Sequence, residues 1–167
     1  MVPTTIQYVT GDATEPQGDG LKIIVHIVND IGAWGAGFVL ALSAKWPEVE
    51  AQYRAWAMGS LHKSFTLGDV LMVDTEREPG CASNIIVANI VGQRGVAWGG
   101  SDKPPIRYQA LADGLIQVRH YTDSYNATVH MPRIGAGLAG GNWDRIARII
   151  QEQLCDKGIA VTVYDLP

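Results

Sequence analysis

The run His26-Ile27-Val28-Asn29-Asp30-Ile31-Gly32-Ala33-Trp34-Gly35-Ala36-Gly37-Phe38 joins the end of one hydrophobic pattern to the start of another. Before it, Leu21 to Val28 is apolar at nearly every position, the pattern of a strand buried on both faces. After it, Gly37 to Lys45 carries Phe38, Leu40, Ala41 and Leu42 on a helical pattern. A strand, a glycine loop and a helix N-terminus in series form a place for a phosphate. Free backbone N–H groups and the positive end of the helix dipole both face the anion. A second loop, Gly135-Ala136-Gly137-Leu138-Ala139-Gly140-Gly141, follows the apolar stretch Thr128 to Arg133. Four glycines in seven residues carry a cost in conformational entropy, which a merely structural turn does not require. Two such loops suit a diphosphate better than a single phosphate.

Outward from these loops, strands and helices mix along the chain. Thr5 to Thr10 reads as a first strand, stopped by Gly11-Asp12. Pro47 opens a second helix with Val49, Tyr53 and Trp56 on one face. Leu67-Gly68-Asp69 turns into a strand at Val70 to Val73, Thr75 to Ser83 reads as loop, and Asn84 to Val91 as a buried strand. Gly92 to Ser101 is a long loop with Gln93, Arg94 and Trp98. A helix is expected from Pro104-Pro105 to Arg119, and another from Trp143 to Lys157 with Asn142 as N-cap and Gly158 at its end. Ile159 to Tyr164 closes the chain as a strand. The expectation is a single α/β domain over residues 1–167, three layers deep, with a mixed, mostly parallel central sheet. In such a sheet, ligands bind beyond the C-terminal strand ends, the edge both glycine loops leave from.

Composition narrows the function classes. Hydrophobic residues make up 47% and charged residues 18% of 167, an ordinary globular balance. A net charge of −4 argues against non-specific nucleic-acid binding. No apolar run reaches the roughly 18 residues of a membrane span. The first residues, Met-Val-Pro-Thr-Thr, lack the pattern of a signal peptide. Cys81 and Cys155 lie far apart with no metal-type spacing. The chain reads as cytoplasmic and reduced, a monomer with no metal.

Several polar residues sit where the pattern does not demand them. Asp12 follows the first strand, placed either to accept from an exocyclic amine such as adenine's or to bond its own turn. His26 lies inside an apolar strand, the setting of a satisfied core histidine. Asn29 and Asp30 mark the point where that strand meets the crevice. Arg133 reads as a partner for a phosphate or for a surface carboxylate, Trp34 and Trp98 as ligand covers or rim fillers, and Tyr164 as core. The loop from Asn29 to Gly37 has no Gly-Lys-Ser/Thr and no Gly-x-Gly-x-x-Gly turn, so neither nucleotide fingerprint is present.

Together, Val9-Thr10-Gly11-Asp12-Ala13, the loop His26 to Phe38, Leu67-Gly68-Asp69-Val70, Ile90-Val91-Gly92-Gln93, Val129 to Gly135, Asn142-Trp143 and Thr162 to Leu166 resemble the macrodomain family, modules that bind ADP-ribose. The resemblance covers nearly the whole chain. Its branch looks like the one that holds terminal ADP-ribose protein glycohydrolases, yeast-type ADP-ribose-1″-phosphate phosphatases and the macrodomain of a chromatin remodeller. The resemblance implies that Asp12, with Ala13 beside it, reads the adenine, with Tyr164 and Leu166 lining its pocket and Gly11 among the ADP-ribose-binding residues. It implies a first diphosphate loop at Ala33, Trp34, Gly35, Ala36, Gly37 and Phe38. A second, at Gly135, Ala136, Gly137, Leu138, Ala139 and Gly140, wraps the diphosphate and distal ribose, with Pro132, Arg133 and Ile134 before it among the ADP-ribose-binding residues. Asn29 falls near that ribose, and Val91 and Gly92 are further ADP-ribose-binding candidates.

Two departures shape the expected chemistry. The glutamate-specific glycohydrolases have a nucleophilic lysine after the fourth strand, where this chain has Gly92-Gln93, and an aspartate in the second loop, where it has Ala139. Lys103 lies ten residues past Gln93. A covalent lysine route is therefore not expected, and the Asn-Ala-Ala-Asn signature of another hydrolytic branch is missing. The resemblance leaves a hydrolase that frees mono-ADP-ribose from protein glutamate or aspartate by positioning a water, with Asn29, Asp30 and Gln93 as catalytic candidates. It needs no cofactor. Its partners are ADP-ribose and mono-ADP-ribosylated proteins. The alternatives are a non-catalytic reader and a 1″-phosphate phosphatase, for which His26 and the Gly32-Ala33-Trp34-Gly35 loop are the suggestive residues.

Overall fold

The computed structural model describes residues 2–78, 81–96 and 103–167, with the backbone alone at 77, 78, 81 and 82. Trp98 and the rest of the stretch 97–102 lie outside the described residues. The elements are β1 (Gln7–Thr10), β2 (Lys22–Asn29), α1 (Phe38–Lys45), α2 (Pro47–Ala57), β3 (Val70–Glu78), β4 (Cys81–Gln93), α3 (Tyr108–Tyr125), β5 (Thr128–Met131), α4 (Trp143–Gln153) and β6 (Val161–Asp165). They form one six-stranded sheet in the order β1-β6-β5-β2-β4-β3. Every neighbouring pair is parallel except β3 with β4. This is the expected mixed, mostly parallel sheet between helical layers.

β2 sits near the middle and explains its own composition. Ile23 and Val25 enter one core with Val129, Met131, Val161 and Val163 of β5 and β6, covered by Leu111, Leu115 and Val118 of α3 and Ile146 and Ile150 of α4. Ile24 and Val28 enter the other core with Leu42 of α1 and Val49, Tyr53 and Trp56 of α2. Successive side chains of a strand point to opposite faces, so a strand covered on both sides must be apolar throughout. Burying these side chains removes on the order of 2 kcal/mol of unfavourable hydration per large residue.

Several expected boundaries shift for identifiable reasons. The stretch Thr75 to Ser83 is not loop, because β3 and β4 pair antiparallel as far as Glu78 opposite Cys81. The Thr75 hydroxyl, bonded to the Ser83 hydroxyl and to the Ile85 carbonyl, ties the hairpin across its register shifts. α3 starts at Tyr108 rather than at Pro104. The residues before it are held extended beside the end of β4, with the Arg94 amide on the Pro105 carbonyl and the Arg107 amide on the Gly92 carbonyl. α3 then runs past Arg119 to Tyr125, where Asn126 takes a left-handed conformation. α4 stops at Gln153, and a short 3-10 turn, Cys155–Lys157, carries the chain to Gly158 at φ 83°. β5 ends at Met131 because Pro132 has no N–H for the ladder.

Candidate functional site

The C-terminal ends of β1, β6, β5, β2 and β4 lie along one edge, and three adjoining chambers open there. The first, about 330 Å³, is lined by Gly11, Asp12, Ala13, Gly37, Phe38, Ala41, Pro132, Tyr164 and Leu166. It shares Gly37, Phe38 and Pro132 with a middle chamber of about 260 Å³ that lies between the glycine loops, with Gly135, Gly137 and Leu138 on the far wall. The middle chamber shares Ile27, Ala36, Val39, Gln93 and Leu138 with a third of about 350 Å³, lined also by Val28, Asn29, Ala33, Gly35 and Val96.

The first loop delivers α1 to the middle chamber. Gly37 is the N-cap residue and gives no side-chain cap, and the first turn of α1 borders the chamber through Gly37, Phe38 and Val39. Its φ is 81°, and a Cβ there would sit 3.2 Å from Leu138 Cδ1 of the second loop. Glycine thus lets the two loops approach. The second loop closes on itself, with the Gly140 amide on the Gly137 carbonyl and the Gly141 amide on the Gly135 carbonyl. Leu138 stands exposed at its tip.

The polar candidates divide. Asn29 is 6% exposed and its carboxamide is used inside the loop. Its Nδ2 donates to the Ala33 carbonyl, and its Oδ1 accepts from the amides of Ile31 and Ala33 and from the Tyr53 hydroxyl. Asp30 is absent from the lining of the three chambers. Its carboxylate accepts from the Gly95 amide at 2.8 Å, and so braces the start of the loop after β4. Gln93 is the one of the three that lines both the middle and third chambers, with its Nε2 donating to the Gly95 carbonyl at 2.9 Å. Asn29 lines the third chamber with a carboxamide taken up by its own loop and Tyr53, while Asp30 Oδ1 holds the backbone just after Gln93.

Asp12 bonds its own turn and also faces the first chamber. Its Oδ1 accepts from the amide and hydroxyl of Thr14. Arg133 lines the middle chamber, but its guanidinium is bound bidentately to Asp165 at 2.7 and 3.0 Å and lies over the rings of Tyr8 and Trp143. Trp34 does not cover the chambers. Its ring is 6% exposed and packs in the core against Tyr53, with centroids 5.5 Å apart. Its apolar bulk wins that position, because the loop doubles back under Asn29. Ala36, Ile134 and Ala139 line the middle chamber, as expected. Val91 is fully buried in the core, and Gly92 packs so close to Ile27 that a Cβ would lie 2.8 Å from it.

His26 is not a fully satisfied core histidine. It is 2% exposed and lines the middle chamber. Its Nε2 bonds Asn89 Oδ1, and Asn89 is oriented by its own Nδ2 donating to the Leu71 carbonyl. Asn89 Oδ1 is therefore an acceptor, and Nε2 must carry the proton. Nδ1 is left with a lone pair and no partner. Burial lowers the imidazole to about 4, against a smaller raising effect of Asn89. The ring is neutral at pH 7.

Sequence reasoning passes over Tyr53, whose hydroxyl bonds both the carbonyl and the carboxamide of Asn29. The only signal is a polar aromatic on the apolar face of α2. It also passes over Val39, Ala41 and Val96 as chamber walls. Among the described residues, no group of three or more His, Cys, Asp or Glu side chains is arranged to hold a metal ion.

No family model matches the chain. Zebrafish chromodomain-helicase-DNA-binding protein 1-like is 35% identical over 165 residues, which is 96% of this chain but 16% of that protein. The chain thus spans under a fifth of the length of that relative. An ADP-ribose 1″-phosphate phosphatase of Lodderomyces elongisporus is 23% identical, with 89% of this chain and 92% of that protein covered. Among solved structures, a protein of unknown function from Bacteroides thetaiotaomicron is 50% identical at a TM-score of 0.87, over 96% of this chain and 98% of that one. The ADP-ribose complex of Thermosipho africanus DarTG shares the fold at a TM-score of 0.70 and 17% identity, over 98% of this chain and 42% of that one. A macrodomain protein from Streptomyces coelicolor is 44% identical at a TM-score of 0.80, over 96% of this chain and 98% of that one. Identity of that order over nearly a whole macrodomain protein makes this chain a member of the macrodomain family.

Proposed function

We propose that this chain binds ADP-ribose along the three chambers. The observation that carries the reading is their continuity. A chamber with a carboxylate and an aromatic wall opens, through shared Gly37, Phe38 and Pro132, onto a chamber walled by two glycine loops. That chamber opens in turn onto one edged by Gln93. The base belongs in the first, where Asp12 can accept from its exocyclic amine and Phe38 and Tyr164 supply apolar area. The diphosphate belongs in the second, where the uncapped start of α1 offers amides to an anion. The distal ribose then reaches Gln93. The named substrate of the Lodderomyces phosphatase and the ligand of the Thermosipho structure support the same ligand class. All three chambers come from one chain, so the reading needs no second copy. Titration calorimetry with ADP-ribose tests it: one-to-one binding is expected, with AMP and inorganic diphosphate each competing. No heat at high micromolar ligand overturns it.

A second reading, release of ADP-ribose from a modified protein glutamate or aspartate, rests on Gln93. Its carboxamide stands between the middle and third chambers, where C1″ would lie. A water held there attacks C1″, the bond from C1″ to the ester oxygen breaks, and the side chain leaves as a carboxylate while the water's second proton passes to solvent. Among the described residues no lysine lines the chambers, which favours direct attack by the water over a covalent lysine adduct. Positioning of this kind acts by orientation and by stabilising developing charge. Incubation with a glutamate-linked auto-modified protein tests it, and release at the spontaneous rate would leave binding as the whole function. Phosphate release from ADP-ribose-1″-phosphate would instead assign a phosphatase.

A further inference from the structure

We infer that His130 is the positioning residue of the nucleobase chamber, holding the Tyr164 ring in place through a buried hydrogen-bond chain that runs from Thr128 to the Gln17 amide. The inference rests on the ADP-ribose reading above and goes further into one end of it. On β5 and β6, Val129, Met131, Val161 and Val163 turn into the core under α3 and α4. Their neighbours Thr128, His130 and Tyr164 turn to the opposite face. There the loop between β1 and β2 reaches over the strands, and its Gln17 amide bonds Tyr164 Oη at 2.9 Å.

His130 and Tyr164 are each 3% exposed. His130 Nδ1 lies 2.7 Å from Tyr164 Oη, and Nε2 lies 2.7 Å from Thr128 Oγ1. The protons can be assigned. Tyr164 Oη accepts from the Gln17 N–H, so its own proton needs an acceptor, and His130 Nδ1 is the one in reach. Nδ1 is therefore unprotonated, Nε2 carries the hydrogen, and it donates to Thr128 Oγ1. The other tautomer would leave the buried phenol proton without a partner, which burial penalises. Burial, with the Lys22 ammonium nearby, lowers the imidazole to about 4, which keeps Nδ1 open as an acceptor at neutral pH.

The ring held in this way is a wall of the chamber with Gly11, Asp12 and Ala13. A Cβ on Gly11 would sit 3.4 Å from Tyr164 Cδ2, so ring and backbone lie in contact beside the residue that presents the carboxylate. Tilting Tyr164 would displace Gly11 and Asp12 together. His130 touches no ligand in this arrangement. It sets where the base is read.

The test uses the full chain labelled with 15N in histidine, with AMP, ADP-ribose and inorganic diphosphate as probes. At neutral pH His130 is expected as the Nε2–H tautomer, assigned by its loss in His130→Gln. Tyr164→Phe should shift its Nδ1 signal. Tyr164→Phe and His130→Leu should each weaken AMP and ADP-ribose by about three- to tenfold, the scale of one buried hydrogen bond. The double variant should be no weaker than either, and diphosphate affinity should not change. Thermal unfolding checks that each variant folds, and the tautomer in the unaltered chain holds the inference open to test even where one does not. An Nδ1–H tautomer, additive losses or an equal loss for diphosphate overturns the inference alone. Failure of AMP and ADP-ribose to bind the unaltered chain overturns the ADP-ribose reading and this inference with it.

Discussion

Tyr53 Oη lies 2.9 Å from Asn29 Oδ1 and 2.8 Å from the Asn29 carbonyl, so a helix residue pins the turn that starts the first glycine loop. The contact is between a fully buried ring and a nearly buried amide. Asn29→Ala would leave the Tyr53 hydroxyl and the Ile31 and Ala33 amides without that acceptor. The expected cost is about 2–3 kcal/mol, seen as a lower urea midpoint. Asn29→Asp keeps the oxygen acceptor and should recover part of the loss. If Asn29→Ala abolished product release without moving stability, Asn29 would belong to the chemistry rather than to the loop.

Within the second glycine loop, neighbouring glycines should respond differently. Gly135 has φ 74°, and a Cβ there would lie 2.5 Å from Ile106 Cδ1. A Cβ on Gly137 meets nothing within 4 Å, and its φ is not in the left-handed region. Gly135→Ala should cost about 2 kcal/mol or more through strain and overpacking, and ADP-ribose affinity should fall with it. Gly137→Ala should leave stability within about 0.5 kcal/mol. Thermal unfolding and calorimetry on the two variants separate these outcomes, and equal effects would contradict the geometry.

Much of this fold is legible in the chain because burial on two faces leaves a strong mark. Leu21 to Val28 is apolar at nearly every position, and it proves to lie in a strand, Lys22–Asn29, between two cores. The β3–β4 hairpin is not legible, because Asp74, Glu76 and Glu78 lie toward the end of an edge strand that tolerates charge and read as loop. The chambers are legible through their glycines, since few residue types allow such close loops. The use made of Asn29 is not, because a carboxamide facing a crevice and one folded back into its own loop look alike in sequence. The choice is made by Tyr53, 24 positions away. His130 is hidden for the same reason, as its partner Tyr164 is 34 positions on.

Acid should weaken the fold before most carboxylates titrate. Burial lowers both His26 and His130 to about 4, while an unfolded histidine titrates near 6.5. Between those values the unfolded chain binds the extra protons. The stability these neutral rings contribute is therefore complete above about pH 6.5 and is lost as pH falls toward 4. Each ring adds up to about 1.4 kcal/mol per pH unit to the slope within that window. Urea midpoints from pH 7.5 to 5 should show the decline, and His130→Gln should make it shallower. A flat profile over that range would mean that neither ring is held neutral.

The charge at Gln93 gives the most direct test of where the anion lies. Its side chain borders both the middle and third chambers. Gln93→Glu changes little in size but sets a negative charge beside the space assigned to the diphosphate and distal ribose. ADP-ribose affinity should fall by about tenfold or more, since like charges brought together across an interface cost several kcal/mol. Gln93→Met removes the same polar contact to Gly95 without adding charge, and its affinity should stay within about threefold of the unaltered chain. The difference between the two variants therefore isolates charge from lost hydrogen bonding. It should shrink as salt is raised, because the chamber is open to solvent and screening reaches it. Equal affinities for the Glu and Met chains at low salt would place the diphosphate away from Gln93.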